Sequence, residues 1–348
     1  MFFHYLDASA VGGIETHVET LALAQIAAGR PAAVILHKDH PGSSMRKRYE
    51  DAGLQVHVAG GARGLARLLT SHRPALLHTH GYKAGIIART IAPFLSVPLV
   101  STFHAGERGK GRMALYQHLD EWTSFAVERI AVSNEIAERM PFRTRVIRNF
   151  VPLTEEMRKP PLQTTFVFAG RLSHEKGPDL FCALASRNRQ SGRFEIHGDG
   201  PMRLELEQRY GDMVRFHGFT SDMKAALSQA TALILTSRSE GLPMIALEAM
   251  AMGVPVIAPA LGGLPDLVSH GSNGYLYEPQ NLSALEDSLS CFRKLDHGQI
   301  AEMGMAARDV ISAHYSPGAV LPELFRVYGR AGVKSERSMR TKVQSSIG

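Results

Sequence analysis

Phe166-Val167-Phe168-Ala169-Gly170-Arg171-Leu172-Ser173-His174-Glu175-Lys176-Gly177-Pro178 reads as a buried strand, a polar loop and the start of a helix. The apolar run is short and stops at a glycine, as a core strand does. Pro178 suits the first helical position, where its missing N–H costs nothing. Working outward, the same unit repeats. In the first half, strands are expected at 2–6, 33–37, 54–58, 75–80, 99–103, 129–132 and 145–148, with helix-period segments at 16–28 and 114–126. In the second half they are expected at 165–169, 193–197, 214–217, 232–236, 256–258 and 274–277. Strands alternating with helices predict βαβ units, parallel sheets and a doubly wound α/β fold. The pattern restarts after Val151-Pro152, so two Rossmann-like domains are expected: 1–152 and 165–328, joined by a linker at 153–164. A basic tail follows at 329–348, and the final helices are expected to pack back on the first domain.

Composition narrows the class. The chain has 348 residues, 44% hydrophobic and 21% charged, which excludes disordered, collagenous and disulfide-scaffold proteins. Two cysteines, Cys182 and Cys291, in a chain this long point to a reducing compartment. No apolar run reaches the ~18 residues of a membrane span, and Met1 leads into Phe2-Phe3-His4 without the basic flank of a signal peptide. The expected location is cytoplasmic, with membrane association at the inner face where the charge permits it. Residues 1–159 hold 20 Lys+Arg against 14 Asp+Glu, net +6, whereas residues 160–329 hold 14 against 18, net −4. A basic half suits phosphorylated substrates or anionic lipid. Nucleic acid is not an expected partner, because the arginines are scattered and no helix-turn-helix, RRM or zinc-finger pattern occurs.

Several loops carry residues suited to chemistry. Arg171 and Lys176 lie between a strand end and a helix start, a good setting for a diphosphate. Gly198-Asp199-Gly200 makes a tight turn after another strand, as do many such turns that hold no ligand. In Ser239-Glu240-Gly241-Leu242-Pro243-Met244-Ile245-Ala246-Leu247-Glu248, Pro243 is expected at the first helical position. The amides of Gly241, Leu242, Pro243's neighbour Met244 and the helix start then face an anion. Glu240 and Glu248 flank that anion, matching a sugar–diphosphate–ribose chain. Val11-Gly12-Gly13-Ile14-Glu15 gives the first strand a glycine turn into a helix. His78-x-His80 is read as splaying its rings to opposite faces, and no Cys or carboxylate joins it at zinc-ligand spacing. No metal is therefore expected.

These motifs together resemble the retaining nucleotide-sugar glycosyltransferases of GT-B fold, glycosyltransferase family 4. The family's E-x7-E pattern is matched by Glu240 to Glu248, accompanied by Gly170-Arg171-Leu172, Glu175-Lys176-Gly177, Gly198-Asp199-Gly200-Pro201, His217-Gly218-Phe219, Gly253-Val254-Pro255 and Gly262-Gly263. The resemblance implies two Rossmann-like domains facing a central cleft and metal-independent transfer of a hexosyl group with retention. The donor is a nucleotide sugar, and the acceptor a saccharide or lipid-linked saccharide of polysaccharide or glycolipid biosynthesis. It implies catalytic roles for Glu240, His104, Arg171 and Lys176. Donor contacts are implied for Gly12, Gly13, Gly198, Gly241, Leu242, Pro243, Met244 and Glu248, and acceptor contacts for Glu15, His80 and Asn149. The acidic residue usual a few positions after Asn149 is absent. No cofactor is implied. A basic first domain fits peripheral contact with anionic membrane, for which 81–92 and Arg108, Lys110 and Arg112 are the expected contacts. A nucleotide-sugar epimerase and a catalytically silent sugar-nucleotide-binding subunit are the competing readings, and acceptor-dependent nucleotide release separates the three.

Overall fold

The structure, a computed structural model, describes residues 1–9, 12–104, 111–153, 161–220 and 222–333. It divides into two units, 1–148 with 317–348, and 149–316.

The first unit is built on seven parallel strands: β1 (Phe2–Leu6), β2 (Ala32–Leu36), β3 (Gln55–Val58), β4 (Leu76–His80), β5 (Leu99–Phe103), β6 (Glu128–Ala131) and β7 (Arg145–Val146). Their order is β3-β2-β1-β4-β5-β6-β7. All five residues of β1, β2, β4 and β5 are buried, because helices cover both faces of a parallel sheet. One face packs Phe3, Tyr5, Ile35 and Leu77 against Leu65, Leu69, Ala84 and Ala88. Near the other, the helix Pro317–Arg330 sets the Phe325 and Tyr328 rings 6.4 and 5.1 Å from that of Phe2.

The second unit has six parallel strands: β8 (Thr165–Ala169), β9 (Arg193–His197), β10 (Arg215–Gly218), β11 (Ala232–Ile234), β12 (Val256–Pro259) and β13 (Gly274–Tyr277), ordered β10-β9-β8-β11-β12-β13. Phe166, Phe168, Phe181, Phe194 and Phe292 share one apolar cluster. Val167, Ala169, Leu247, Met250 and Leu264 share another. Helix Met244–Ala251 buries Ala246, Leu247, Ala249 and Met250, so it is a core helix and not an amphipathic surface one. β11 ends at Ile234, two residues before its expected end, because Thr236 has left the ladder to bond the loop after β8.

In each sheet the strand order reverses once, between β1 and β4 and between β8 and β11. Loops leaving the carboxyl ends on either side of such a point diverge and open a crevice. In the second unit these loops are 170–177 and 237–243. In the first they follow β1, β4 and, one strand on, β5.

Candidate functional site

At the crevice of the second unit, the Lys176 ammonium donates to Glu240 Oε1 at 2.6 Å, and the Ser237 hydroxyl donates to the same oxygen at 2.9 Å. The Glu240 side chain is only 8% exposed, so its charge is held by these two donors. The surrounding backbone is fixed on three sides. Thr236 Oγ1 donates to the Gly177 carbonyl at 2.7 Å, and a Cβ at Gly177 (φ +65°) would stand 2.1 Å from the Thr236 backbone carbonyl oxygen. Arg238 forks onto Asp179 at 2.9 and 2.6 Å and also donates to the His174 carbonyl. From behind, Gly263 N–H donates to the Gly241 carbonyl at 2.5 Å, and a Cβ on Gly262 (φ +57°) would stand 2.1 Å from the Glu240 carbonyl oxygen.

Gly241, Leu242, Pro243 and Met244 are buried, and Pro243 caps the helix from outside rather than occupying its first turn. Its ψ of 127° is extended, so the helix starts one residue later than the sequence suggests. Glu248 is half-buried in the second turn. Arg171 is exposed, and no ion pair holds its guanidinium among the described residues. Asn149 is buried and belongs to this unit, where its amide donates to the Leu242 carbonyl at 2.9 Å. That bond makes it a brace for the Glu240 loop, while its Oδ1 takes no hydrogen bond among the described residues. Gly198 is likewise structural: a Cβ there would stand 1.9 Å from the Gly170 carbonyl oxygen, so its glycine lets two loops meet. Ser237, Arg238 and Asp179 escaped the sequence reading, because their value comes from loops far apart in the chain.

In the first unit, Gly12 and Gly13 are exposed at the start of helix Gly13–Ala27. Glu15 folds back so that the Gly12 and Glu15 backbone N–H groups donate to its carboxylate, while burial pushes its pKa up. Its carboxylate thus sits at the helix start.

The histidines overturn one expectation. His78 and His80 do not splay apart: their rings lie 4.3 Å from each other on one face of β4. Side chains alternate along a strand, so residues two apart share a face. His4 pairs in register with His78 on the neighbouring strand and joins them. His4 Nδ1 lies 3.1 Å from His80 Nε2, and His80 Nδ1 lies 3.2 Å from His104 Nε2. Beyond His4, Nε2 meets Gln25 Oε1 at 2.8 Å, and the Gln25 amide donates to the Tyr328 hydroxyl at 2.9 Å. His78 takes its own bonds to Tyr328 and Thr102.

Two triples in this cluster, His4–His78–His80 and His17–His80–His104, are close enough to hold a metal ion. The ring geometry favours a different use. Ring centroids stand 5.4 Å apart in the His4–His80 pair and 5.5 Å in the His80–His104 pair. In both, that exceeds the N···N distance by two ring radii, so the nitrogens point along the line between the rings. Nitrogens that ligate one ion converge on a third point instead. This is a hydrogen-bonded chain ending at half-buried His104, and the acceptor contact expected of His80 is not open to it, since both its nitrogens are engaged. Burial lowers the pKa of every member, His4 to about 4 and His104 to about 3, so the chain is neutral.

Of the expected membrane contacts, helix Tyr82–Ile91 buries Ala84, Gly85 and Ala88. Arg108 and Lys110 lie outside the described residues, as does the side chain of Arg112.

Comparison with known proteins agrees with the two-sheet fold. Residues 11–155 match Glycosyltransferase Family 4, and residues 163–292 match Glycosyl transferases group 1. The chain is similar to WcaL of Salmonella typhimurium, named for colanic acid biosynthesis, at 27% identity over 57% of this chain and 50% of that one. It is also similar to the glycogen synthase of Mycobacterium tuberculosis, at 27% over 84% and 75%. The match thus spans about half the length of WcaL. Among solved structures, Anabaena Alr3699/HepE in complex with UDP-glucose superposes with a TM-score of 0.81 at 19% identity, covering 95% of this chain and 100% of that one. That likeness establishes the GT-B fold.

Proposed function

We propose, from the premise that this chain belongs to the family 4-like GT-B glycosyltransferases, that it moves a hexosyl group from a nucleotide sugar to a saccharide acceptor in polysaccharide or glycolipid biosynthesis. The observation that carries this reading is the Lys176–Glu240–Ser237 cluster at the strand-order reversal, beside exposed Arg171 and the start of helix Met244–Ala251.

Breaking the bond between the anomeric carbon and the donor phosphate leaves an added negative charge on the nucleoside diphosphate. Arg171, Lys176 and the first amides of the helix, which have no partner within it, stabilise that charge. Protein cations then do what a metal does in other transferases, so the transfer is metal-independent. Glu240 accepts hydrogen bonds from donor-sugar hydroxyls, Glu248 from ribose hydroxyls, and His104 meets a sugar hydroxyl. The acceptor oxygen bonds the anomeric carbon on the face the phosphate leaves, and its proton passes to the departing phosphate oxygen. The configuration is retained. A lipid-linked acceptor fits the charge of the first unit, 24 Lys+Arg against 14 Asp+Glu for a net +10.

Thermal unfolding with UDP, GDP and ADP, each with EDTA, tests the reading. A nucleotide at about 100 times its Kd adds roughly 2.7 kcal/mol. UDP comes first, since HepE is described with UDP and UDP-glucose. A shift with one nucleotide, unchanged by EDTA and followed by acceptor-dependent nucleotide release, is the expected result. No shift with any of them would overturn it.

A further inference from the structure

Helix Arg112–Thr123 is built inside out. Its acidic pair, Asp120 and Glu121, is buried, with the Asp120 side chain 9% and the Glu121 side chain 4% exposed. Asp120 pairs with Arg89, itself 5% exposed, which also donates to Ser101 Oγ at 2.9 Å. Glu121 pairs with Arg139 at 3.5 Å. Gly85 makes the room: a Cβ there would stand 2.4 Å from the Asp120 carboxylate.

The apolar residues take the opposite face. Leu115 is 60% exposed, Tyr116 48%, Leu119 44% and Trp122 61%, at the spacing of one helical stripe. Phe125, 69% exposed, extends the stripe into the next turn. Phe142 joins it, its ring 5.8 Å from Trp122 and 6.5 Å from Phe125. Burying ion pairs is costly and burying leucine and tryptophan is favourable, so the opposite arrangement marks an apolar face kept for something outside the chain. Its edge is cationic. The Arg129 guanidinium sits 5.5 Å from the Phe142 ring centroid, held by the Ser124 and Val127 carbonyls, and Arg143 is exposed next in sequence.

We infer that this face docks the first unit on an anionic lipid surface. Tryptophan and tyrosine beside leucine and phenylalanine, rimmed by arginine, are the composition of a helix lying in the headgroup layer. The unit's net +10 complements anionic lipid. The same charge opposes a second copy, since self-association through this face would bring two +10 units together. The biological sense of docking rests on the lipid-linked acceptor proposed above, whereas its geometry stands alone.

Trp122 is the only tryptophan in the chain, so its emission reports this face. The full chain is mixed with vesicles of phosphatidylcholine alone or with phosphatidylglycerol. The expected result is a blue shift, quenching by brominated acyl chains, and binding about tenfold or more tighter to the anionic vesicles, weakening as salt rises. The double variant Leu119→Ser with Phe125→Ser is expected to bind about tenfold or more weakly at unchanged Tm, both side chains being exposed. The wild-type quenching stands without it. Vesicle binding without Trp122 quenching, or no vesicle binding, overturns the inference. So does a concentration-dependent blue shift without lipid, accompanied by a dimer in sedimentation. UDP stabilisation, measured without vesicles, tests the transferase reading separately.

Discussion

Lys176 and Glu240 meet at 2.6 Å although they leave different strands, one in the loop after β8 and the other in the loop after β11. The contact spans the place where the sheet order reverses, and the bond from Thr236 to Gly177 and the fork from Arg238 to Asp179 keep the two loops in register. Cation and carboxylate are thus held against each other by bonds between the two loops that carry them.

Lys176→Ala and Glu240→Gln should both lower kcat/KM by about a hundred- to a thousandfold. They should differ in binding. Lys176→Ala is expected to lose most of the nucleotide-induced rise in Tm, because the proposed role gives its cation to the diphosphate. Glu240→Gln is expected to keep that rise while turnover falls, because the proposed role gives its carboxylate to the sugar. Near-normal turnover in Glu240→Gln would remove that role.

Gly262→Ala should act on Glu240 from behind. The new Cβ would stand 2.1 Å from the Glu240 carbonyl oxygen, at a φ of +57°. The loop must move, and a shift of about 1 Å at a reacting group can cost about a hundredfold. Gly271→Ala is the control, since its φ of +78° is equally strained for alanine but nothing lies within 4 Å of its Cβ. Assays of both variants should show lost activity only at Gly262. Equal activity would mean the turn does not position Glu240.

The strands were legible because parallel sheets covered on both faces leave short apolar runs between polar loops, as at Phe166 to Ala169. Lys176, Glu240 and Glu248 were legible because their pattern is local. Asn149 was not, since its partner Leu242 lies 93 residues away, and a lone asparagine does not tell a brace from a ligand. The histidine chain was half legible. The shared face of His78 and His80 follows from strand alternation, and the pairing of β1 with β4 then brings in His4. Tyr328 is 250 residues from His78 and enters only through the last helix. Helix 112–123 was visible as a helix, but its inversion depends on Arg89 and Arg139 being where Asp120 and Glu121 can face them.

The chain should lose stability in mild acid. His4, His17, His78 and His80 are buried and His104 is half-buried, and all are held neutral, with pKa values below the ordinary 6.5. The unfolded chain takes up protons near pH 6.5 and the folded one does not, so this stability is complete above 6.5. It is lost as pH falls towards about 4, where His4 titrates in the fold. Each histidine contributes up to about 1.4 kcal/mol per pH unit across that window. Urea unfolding between pH 7.5 and pH 5 (spanning the ordinary histidine value of ~6.5) should therefore show a steep fall. A flat profile would mean that the cluster is hydrated or already protonated.

The tautomer of His104 should be set far from it. With the Gln25 amide donating to Tyr328, Oε1 must accept from His4 Nε2–H, which leaves His4 Nδ1 as an acceptor. His80 Nε2–H then donates to His4, and His104 Nε2–H donates to His80 Nδ1. His104 Nδ1 is left with a lone pair, able to accept from a sugar hydroxyl. The Tyr328 hydroxyl, having accepted from Gln25, donates to His78 Nδ1, so His78 carries its proton on Nε2. Long-range proton–nitrogen NMR reads these states directly and should find all four rings in the Nε2–H form. Gln25→Glu separates the two branches. Its carboxylate accepts from His4 as before, so His104 should stay as it is. It also accepts from the Tyr328 hydroxyl, which can then no longer donate to His78, and His78 should switch to the Nδ1–H form. Finding His104 as Nδ1–H in the wild type would mean the whole chain runs the other way, with His104 Nδ1 a donor instead of an acceptor.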